Sequence, residues 1–385
     1  MRYWSLILTF LLLGAFHTSG QEANGELSDT FRISGQLSTW LNLNTGSELP
    51  LATGGRYIPA MNYGIYTPAD KLIDLEVSAN LSGDLSFRPF SEADAGALIK
   101  PYRAWIRYSG DQLELRLGLQ KINFGSATML RPLMWFDQMD PRDPLRLTDG
   151  VWALLGRYYF LNNVNIWLWG LYGNNKPRGW ETVPVNSNYP EFGGRIQTPV
   201  PGGEAAFTFH HRTADNRGMI LFSDFHDRIP EDKFAFDARW DLVTGIWVEG
   251  SWTRKGRDLG LFTNQVIMNA GMDYTFGIGN GLYASFEQLL FSMDKKAFSL
   301  DNRRSLSLAS LNYPVGLFDR IGAIVYYDWT GRNVYNFLSW QKQLDNIIFY
   351  MMAYWNPSSA ILPSGTGTGN MFSGKGLQLM FVFNH

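Results

Sequence analysis

The stretch Leu113-Glu114-Leu115-Arg116-Leu117-Gly118-Leu119-Gln120 decides how this chain is read. Leu113, Leu115, Leu117 and Leu119 fall on one side of an extended chain, and Glu114, Arg116, Gly118 and Gln120 on the other. Successive strand side chains point to opposite faces, so these residues make a strand with one wholly apolar face. KLIDLEVSANL repeats the pattern, with Ile73, Leu75, Val77, Ala79 and Leu81 opposing Asp74, Glu76, Ser78 and Asn80. So does KFAFDARWD, where Phe234, Phe236, Ala238 and Trp240 oppose Lys233, Asp237, Arg239 and Asp241. Over 264–276, Val266, Met268, Ala270, Met272 and Tyr274 alternate with Gln265, Asn269 and Asp273. In a water-soluble sandwich the polar face is the outside. In a membrane barrel the apolar face meets lipid and the polar face lines a wet lumen. A single strand does not choose between them, but the spacing of many does.

Read in order, the strand candidates are 30–42, 57–66, 70–82, 98–108, 112–122, 151–160, 164–172, 191–199 and 204–213. They continue with 232–241, 245–254, 263–276, 281–291, 303–313, 319–328, 333–342, 346–355 and 375–384. Each has about the length that a tilted strand needs to cross a bilayer. Short turns at 109–111, 161–163, 201–203, 242–244, 277–280 and 343–345 alternate with longer links at 43–56, 83–97, 123–150, 173–190, 214–231, 255–262, 292–302 and 356–374. Trp329–Arg332 is short on the side that should be long. Short turns on one side, long loops on the other and an even strand count describe a bacterial transmembrane barrel. The expected fold class is therefore all-β, an antiparallel up-and-down transmembrane barrel of about eighteen strands, with sixteen left open because strand boundaries shift by a few residues. The last strand, GLQLMFVFNH, sends Leu377, Leu379, Phe381 and Phe383 to one face and resembles the terminal signal read by barrel-assembly machinery. It departs from the usual form by closing on Phe383-Asn384-His385 rather than on an aromatic residue.

The beginning of the chain and its composition agree with this reading. Arg2 precedes the apolar run Ser5–Phe16, and Thr18, Ser19 and Gly20 follow, as in a secretory signal peptide cleaved after Gly20. The run is too short for a membrane helix, which needs roughly 20 apolar residues. One barrel domain is expected over 21–385, with no plug domain before its first strand. The chain has no Cys, so an exported protein of this size must be held together by something other than disulfides. A closed barrel provides that, because every backbone group is paired around the ring. Aromatic residues are 15%, with 14 Trp, 18 Tyr and 26 Phe, and there are 39 Gly; rings of this kind sit at the two membrane interfaces. A secreted β-sandwich shares such a composition, so the periodicity and spacing carry the choice. The formal net charge is −2, and no basic run points to nucleic acid.

The longest outer link, Asn123–Gly150, is neither low-complexity nor flexible in composition, and long structureless links in compact domains tend to be functional. Pro132, Pro141 and Pro144 stiffen it, and Leu133, Met134, Trp135 and Phe136 give it something to bury. Asp137, Asp140, Asp143 and Asp149 are interleaved with Arg131, Arg142 and Arg146. Such a loop is expected to fold into the lumen and constrict it, its fixed charges filtering solutes.

An even barrel with a long third outer loop of mixed charge resembles the porin superfamily. The strand-to-loop run Gly118-Leu119-Gln120-Lys121-Ile122-Asn123-Phe124-Gly125 is similar to strands in alginate-export-type and related eighteen-stranded porin-like proteins. The resemblance implies that charged residues of the wall and of the infolded loop govern passage. Here the wall candidates are Arg103, Arg107, Glu114, Arg116 and Arg157, and the constriction candidates are Arg131, Asp137, Asp140, Arg142, Asp143, Arg146 and Asp149. Four inward arginines facing an Asp-bearing loop would set a transverse field. Pairing with Glu114 and the loop aspartates would instead pin the loop without selectivity, and arginine–carboxylate pairs do both readily.

Other chemistry fares less well. Calcium takes several oxygen ligands, but the loop aspartates lack the Gly and terminal Glu of an EF-hand and have arginines between them. Trp167 and Trp169 share a face with Asn165 and fit an interface girdle better than a sugar path. His210 beside Thr208, and His226 between Asp224 and Asp227, have no nucleophile motif to serve, so no enzyme, metal or cofactor is expected. The expected function is passive diffusion of small hydrophilic, anionic solutes through the outer membrane. Export of an anionic polysaccharide, or a closed structural barrel of an envelope complex, is the alternative. Expected partners are outer-membrane lipid and lipopolysaccharide, the barrel-assembly machinery, the solutes themselves and a second copy of the chain.

Overall fold

The computed structural model describes residues 29–46, 49–219, 225–357 and 372–385. The expected signal peptide over 1–20 lies outside the described residues, as does Asp224. The strands are β1 (Thr30–Asn44), β2 (Leu51–Tyr66), β3 (Leu72–Phe87), β4 (Ala93–Ser109), β5 (Leu113–Gln120) and β6 (Val151–Tyr159). They continue as β7 (Asn165–Leu171), β8 (Glu191–Val200), β9 (Gly203–Ala214), β10 (Ile229–Asp241), β11 (Gly245–Lys255) and β12 (Asn264–Phe276). The last six are β13 (Leu282–Asp294), β14 (Arg304–Pro314), β15 (Asp319–Asp328), β16 (Asn333–Leu344), β17 (Ile347–Trp355) and β18 (Lys375–Asn384). Each pairs antiparallel with its sequence neighbours, and β1 pairs with both β2 and β18, so one 18-stranded sheet closes on itself. The count is eighteen rather than sixteen. At the seam, Gln36 to Asn44 of β1 run opposite Asn384 to Gly376 of β18.

Side-chain exposure shows which face is outside. On β5, Leu115 and Leu117 are 42% and 57% exposed on the outer surface. Glu114 and Arg116 between them point inward, each with a side chain only 15% exposed. The same inversion of the water-soluble pattern recurs around the ring, with Val77, Leu154, Phe207, Phe236, Met268, Phe286 and Leu338 all exposed. A belt of outward apolar side chains around a polar interior is the surface of a lipid-embedded barrel. Tyr63, Tyr66, Tyr108, Tyr158, Phe160, Tyr274 and Phe276 are exposed at the short-turn ends, and Trp152, Tyr172, Phe192, Trp329 and Trp355 at the long-loop ends. These are the two aromatic girdles that the composition called for.

Two outer links are much shorter than their sequence suggests. The expected loop 43–56 reduces to 45–50, and 83–97 reduces to 88–92. The polar, Gly-rich residues between them continue the ladder instead, with Gly55 opposite Gly83, Gly83 opposite Ala97 and Leu85 opposite Ala95. Above the bilayer, hairpin pairing needs no apolar face, so hydrophobic alternation marks where strands cross lipid rather than where they end. Within the wall, Gly118 has φ +122°, and a Cβ there would lie 2.2 Å from the Ala104 carbonyl oxygen, so β4 and β5 pair only because this residue is glycine. Leu117→Arg, in the middle of the lipid-facing row of β5, should destabilise the barrel by about 2–4 kcal/mol. Denaturant unfolding in lipid vesicles measures this, with Ser339→Arg, on the inward face of β16 beside Tyr335 and Phe337, as a control that should cost much less.

Candidate functional site: an infolded loop and a divided lumen

The third outer link, 121–150, leaves β5 and crosses the lumen to the far wall. Backbone amides inside a lumen need partners as much as those in a core, and two wall carboxylates supply them. Glu249 of β11 accepts from the amides of Ser126 (2.8 Å), Ala127 (2.9 Å) and Leu133 (2.7 Å). Glu287 of β13 accepts from those of Thr128 (3.2 Å), Met129 (2.9 Å) and Leu130 (2.7 Å), and from the Thr128 hydroxyl at 2.5 Å. Gly125, at φ +106°, permits the approach, since a Cβ there would stand 2.6 Å from a Glu249 oxygen. Ser126 Oγ donates to Asp237, which is itself forked by Arg195 at 2.5 and 2.9 Å. Apolar packing completes the seat. Leu133, Trp135 and Phe136 pack with Phe124, Leu155 and Trp169, while Leu130 packs onto Leu306, Leu308, Tyr326 and Tyr335.

The fourth outer link, 172–190, also turns inward, over β8–β11. Arg178 pairs with Glu191, Glu181 pairs with Lys233 at 2.6 Å and Arg212 at 3.2 Å, and Arg212 forks Glu231 at 2.6 and 3.0 Å. Trp180 Nε1 donates to the Arg131 carbonyl at 2.8 Å and ties the two infolded links together. Burial alone would push the Glu181 carboxyl up, but Arg212, Lys233 and Arg178 outweigh it and hold it below its ordinary 4.5.

Of the expected pairings of the wall arginines, that with Glu114 is present, and that with the loop aspartates is absent among the described residues. Arg107 forks Asp74, directly opposite on β3, at 2.9 and 2.7 Å. Glu114 lies 3.2 Å from Arg116, 3.5 Å from Arg157 and 3.9 Å from Arg107. Only Arg103 touches the loop, donating to the Thr148 carbonyl at 3.0 Å. Neighbouring strands stand about 4.8 Å apart, so an inward arginine reaches a carboxylate on the next strand sooner than one across the lumen. Within the loop, Asp137 pairs with Arg131 at 3.0 Å, Asp140 with Arg142 at 2.7 Å, and Asp143 accepts from the amides of Leu145 and Leu147. Asp149 reaches back to Lys100 at 2.5 Å. Among the described residues these aspartates form no cluster that could hold a metal. Arg146 is exposed and makes no ion pair among the described residues.

The tryptophans need a second correction. Trp167 and Trp169 are not girdle residues: the Arg157 guanidinium sits 3.9 Å over the Trp167 ring, and Trp169 is buried, stacked on Phe124 at 5.5 Å. Both face a lumen filled by the third link. His210 is equally sealed, receiving Trp169 Nε1 at 3.2 Å and facing Glu191 at 3.2 Å. Glu249, Glu287, Arg178, Glu181, Arg195 and Arg212 were not singled out from sequence. Of these, Arg212 and Glu249 lie on β9 and β11, beside a β10 whose Glu231, Lys233 and Asp237 show charge at alternate positions, and that is the signal the sequence offers for them.

The lumen is thus divided. Over β8–β11, Arg195, Arg212 and Lys233 are 4%, 0% and 3% exposed, whereas on β4–β6 Arg107, Arg157 and Arg116 keep 26%, 17% and 15%. Arg56, Arg103, Lys121 and Arg146 make no ion pair among the described residues. Burial depresses the Lys121 ammonium below its ordinary value, Asp137 opposes this, and Arg103, Arg131 and Arg146 add to it. Burial raises the Asp137 and Asp143 carboxyls despite their donors.

No family model and no curated protein sequence matches this chain. Among solved structures it is similar to an anion-selective porin from Comamonas acidovorans, with a TM-score of 0.52 and 11% identity over 93% of this chain and 100% of that one. It is also similar to OccK5 (OpdH) of Pseudomonas aeruginosa, with a TM-score of 0.54 and 9% identity over 92% and 97%. At these identities the likeness is one of fold. The chain folds as a porin-type transmembrane β-barrel. The narrower alginate-export-type resemblance gains no support from these two structures.

Glu287→Gln keeps the shape but weakens bonds that are each worth about 1.5–3 kcal/mol when the acceptor is charged. Trypsin cleavage of the folded barrel at Arg142 and Arg146 should accelerate, and Gly125→Ala should do the same through its clash with Glu249. Unchanged cleavage in both variants would mean that the carboxylates do not hold the loop. Glu181 is depressed in the folded state, so its contribution is present above its ordinary 4.5 and is lost as pH falls through the folded value. Hydrogen-exchange protection of the 172–190 amides, referred to the intrinsic rate at each pH, should therefore hold steady from pH 7 to about 4.5 and fall only below that.

Proposed function

We propose that this barrel is an outer-membrane channel for passive diffusion of small hydrophilic solutes, with a preference for anions. The observation that carries this reading is the divided lumen. Two infolded links seal the inward charges of β8–β13, and the inward charges of β3–β6 keep contact with solvent. A solute path along the accessible arc passes Arg107, Arg116 and Arg157, whose charge Asp74 and Glu114 largely cancel. It then meets Arg56, Lys121 and Arg146, whose charge no carboxylate cancels by direct contact. Fixed unneutralised charge beside a narrow wet path selects by sign. Selectivity therefore rests on these three groups rather than on the wall ladder. The anion-selective character of the Comamonas acidovorans porin is in keeping with this reading. The lipid-facing belt and two girdles support placement in the bacterial outer membrane, after assembly by the machinery that folds such barrels. A closed structural barrel is the second reading, favoured by the filling of the β8–β13 half.

Single-channel conductance in a planar bilayer under a salt gradient tests both readings. Stable steps with anion preference are expected. Replacing Arg56, Lys121 and Arg146 together by Gln should bring the permeability ratio close to one, and Arg107→Gln should move it less. Cation preference in the unmodified protein would overturn the charge assignment and keep the channel. A correctly folded barrel without conductance would favour the closed reading.

A further inference from the structure

We propose that the ionic network beneath the fourth outer link binds one monatomic anion, a halide, against Arg178, Thr182, Lys233, Lys255, Thr253 and Gln265, in a cavity that the Glu181 and Glu231 carboxylates also line. The charges of the network do not balance without it. Arg178, Arg212, Lys233 and Lys255 are joined through Glu181, Glu191 and Glu231 by ion pairs of 4 Å or less, which sets four cations against three carboxylates. His210, which faces Glu191, adds no charge. Trp169 Nε1 can only donate, so the His210 Nδ1 that receives it bears no proton, and the single ring proton sits on Nε2 facing Glu191. One positive charge is left over in a site where Arg212 is 0% exposed and Glu231 1%. An uncompensated buried charge costs several kcal/mol, so a counter-ion is favoured there.

The unpaired donors lie at the same place. Among the described residues, the Arg178 Nε and Nη1 atoms and the Thr182 hydroxyl are buried without a hydrogen-bond partner. Lys255 makes its one short bond to the Phe262 carbonyl, at 2.9 Å, and stands 3.5 Å from Glu231. Glu249, the nearby carboxylate on β11, turns to the third link instead, where it accepts from three amides. Size and charge set the ligand class. The cavity under Pro132, Met134 and Trp135 is small, and the excess to be matched is a single charge, which a monatomic halide carries and a doubly charged sulfate or phosphate does not. A halide accepts from several N–H and O–H donors at once and carries the missing charge. It would also join the two infolded links, since Pro132, Met134 and Trp135 belong to one and Arg178, Trp180 and Thr182 to the other.

Crystals of the unmodified barrel grown in bromide should show an anomalous peak in this cavity. Melting of the detergent-solubilised protein should occur at higher temperature in sodium chloride than in sodium gluconate of equal ionic strength. Lys255→Met leaves three cations against three carboxylates, so it should fold, lose the peak and melt alike in the two salts. Absence of the bromide peak in the unmodified protein, or equal melting in chloride and gluconate, would overturn the proposal and leave the cavity to water beside a neutral lysine. A peak that persists in Lys255→Met would overturn the charge argument. Should that variant fail to fold, the bromide crystal of the unmodified protein decides alone.

Discussion

A chain embedded in hydrocarbon has no water to satisfy its N–H and C=O groups, and each one left unpaired costs several kcal/mol. The rest of this structure depends on that constraint. It forces the sheet to close, so β1 must find β18 as well as β2. Closure then assigns the two faces of every strand, with outward side chains matching lipid and inward ones matching whatever fills the ring. The absence of disulfides is no weakness in such a fold, because the closed ladder restrains the chain at every residue.

The same demand returns inside the barrel in another form. A link of thirty residues from 121 to 150 enters the lumen without helix or strand, so its amides need partners from the wall. Glu249 and Glu287 each gather three consecutive or nearby amides, much as a carboxylate caps a helix start. Carboxylates suit this role because one group accepts several bonds at once. Glycine at 125 is the steric condition for it, since any side chain there would displace the Glu249 carboxylate.

Once the link is seated, electrostatics follows from geometry. The sealed half holds charges that must be matched locally, and its ion pairs are short and forked. The accessible half can leave charge unmatched because water screens it. Arg107, Arg116 and Arg157 are mostly neutralised by neighbours on adjacent strands, so the densest row of wall arginines is not where the field is strongest. The field belongs instead to groups stranded by the path of the link, Arg56, Lys121 and Arg146.

Much of this was legible in the chain itself. Strict alternation over 73–81, 113–120 and 234–240, with turns at short and long intervals, points to a closed barrel of about eighteen strands, because period-two patterning reports which side chains meet lipid. The ladder pairing then sets the count at eighteen. The loop over 123–150 was equally visible, since a stiff link carrying Leu133, Met134, Trp135 and Phe136 has apolar surface to bury. The tertiary structure alone decided the pairings. Asp74 meets Arg107 through register, Glu287 meets Leu130 across 157 positions of sequence, and Trp169 stacks on Phe124 because the infolded link brings it there. Periodicity states which face a residue occupies but not which residue stands opposite, and the chemistry of this lumen lies in that second relation.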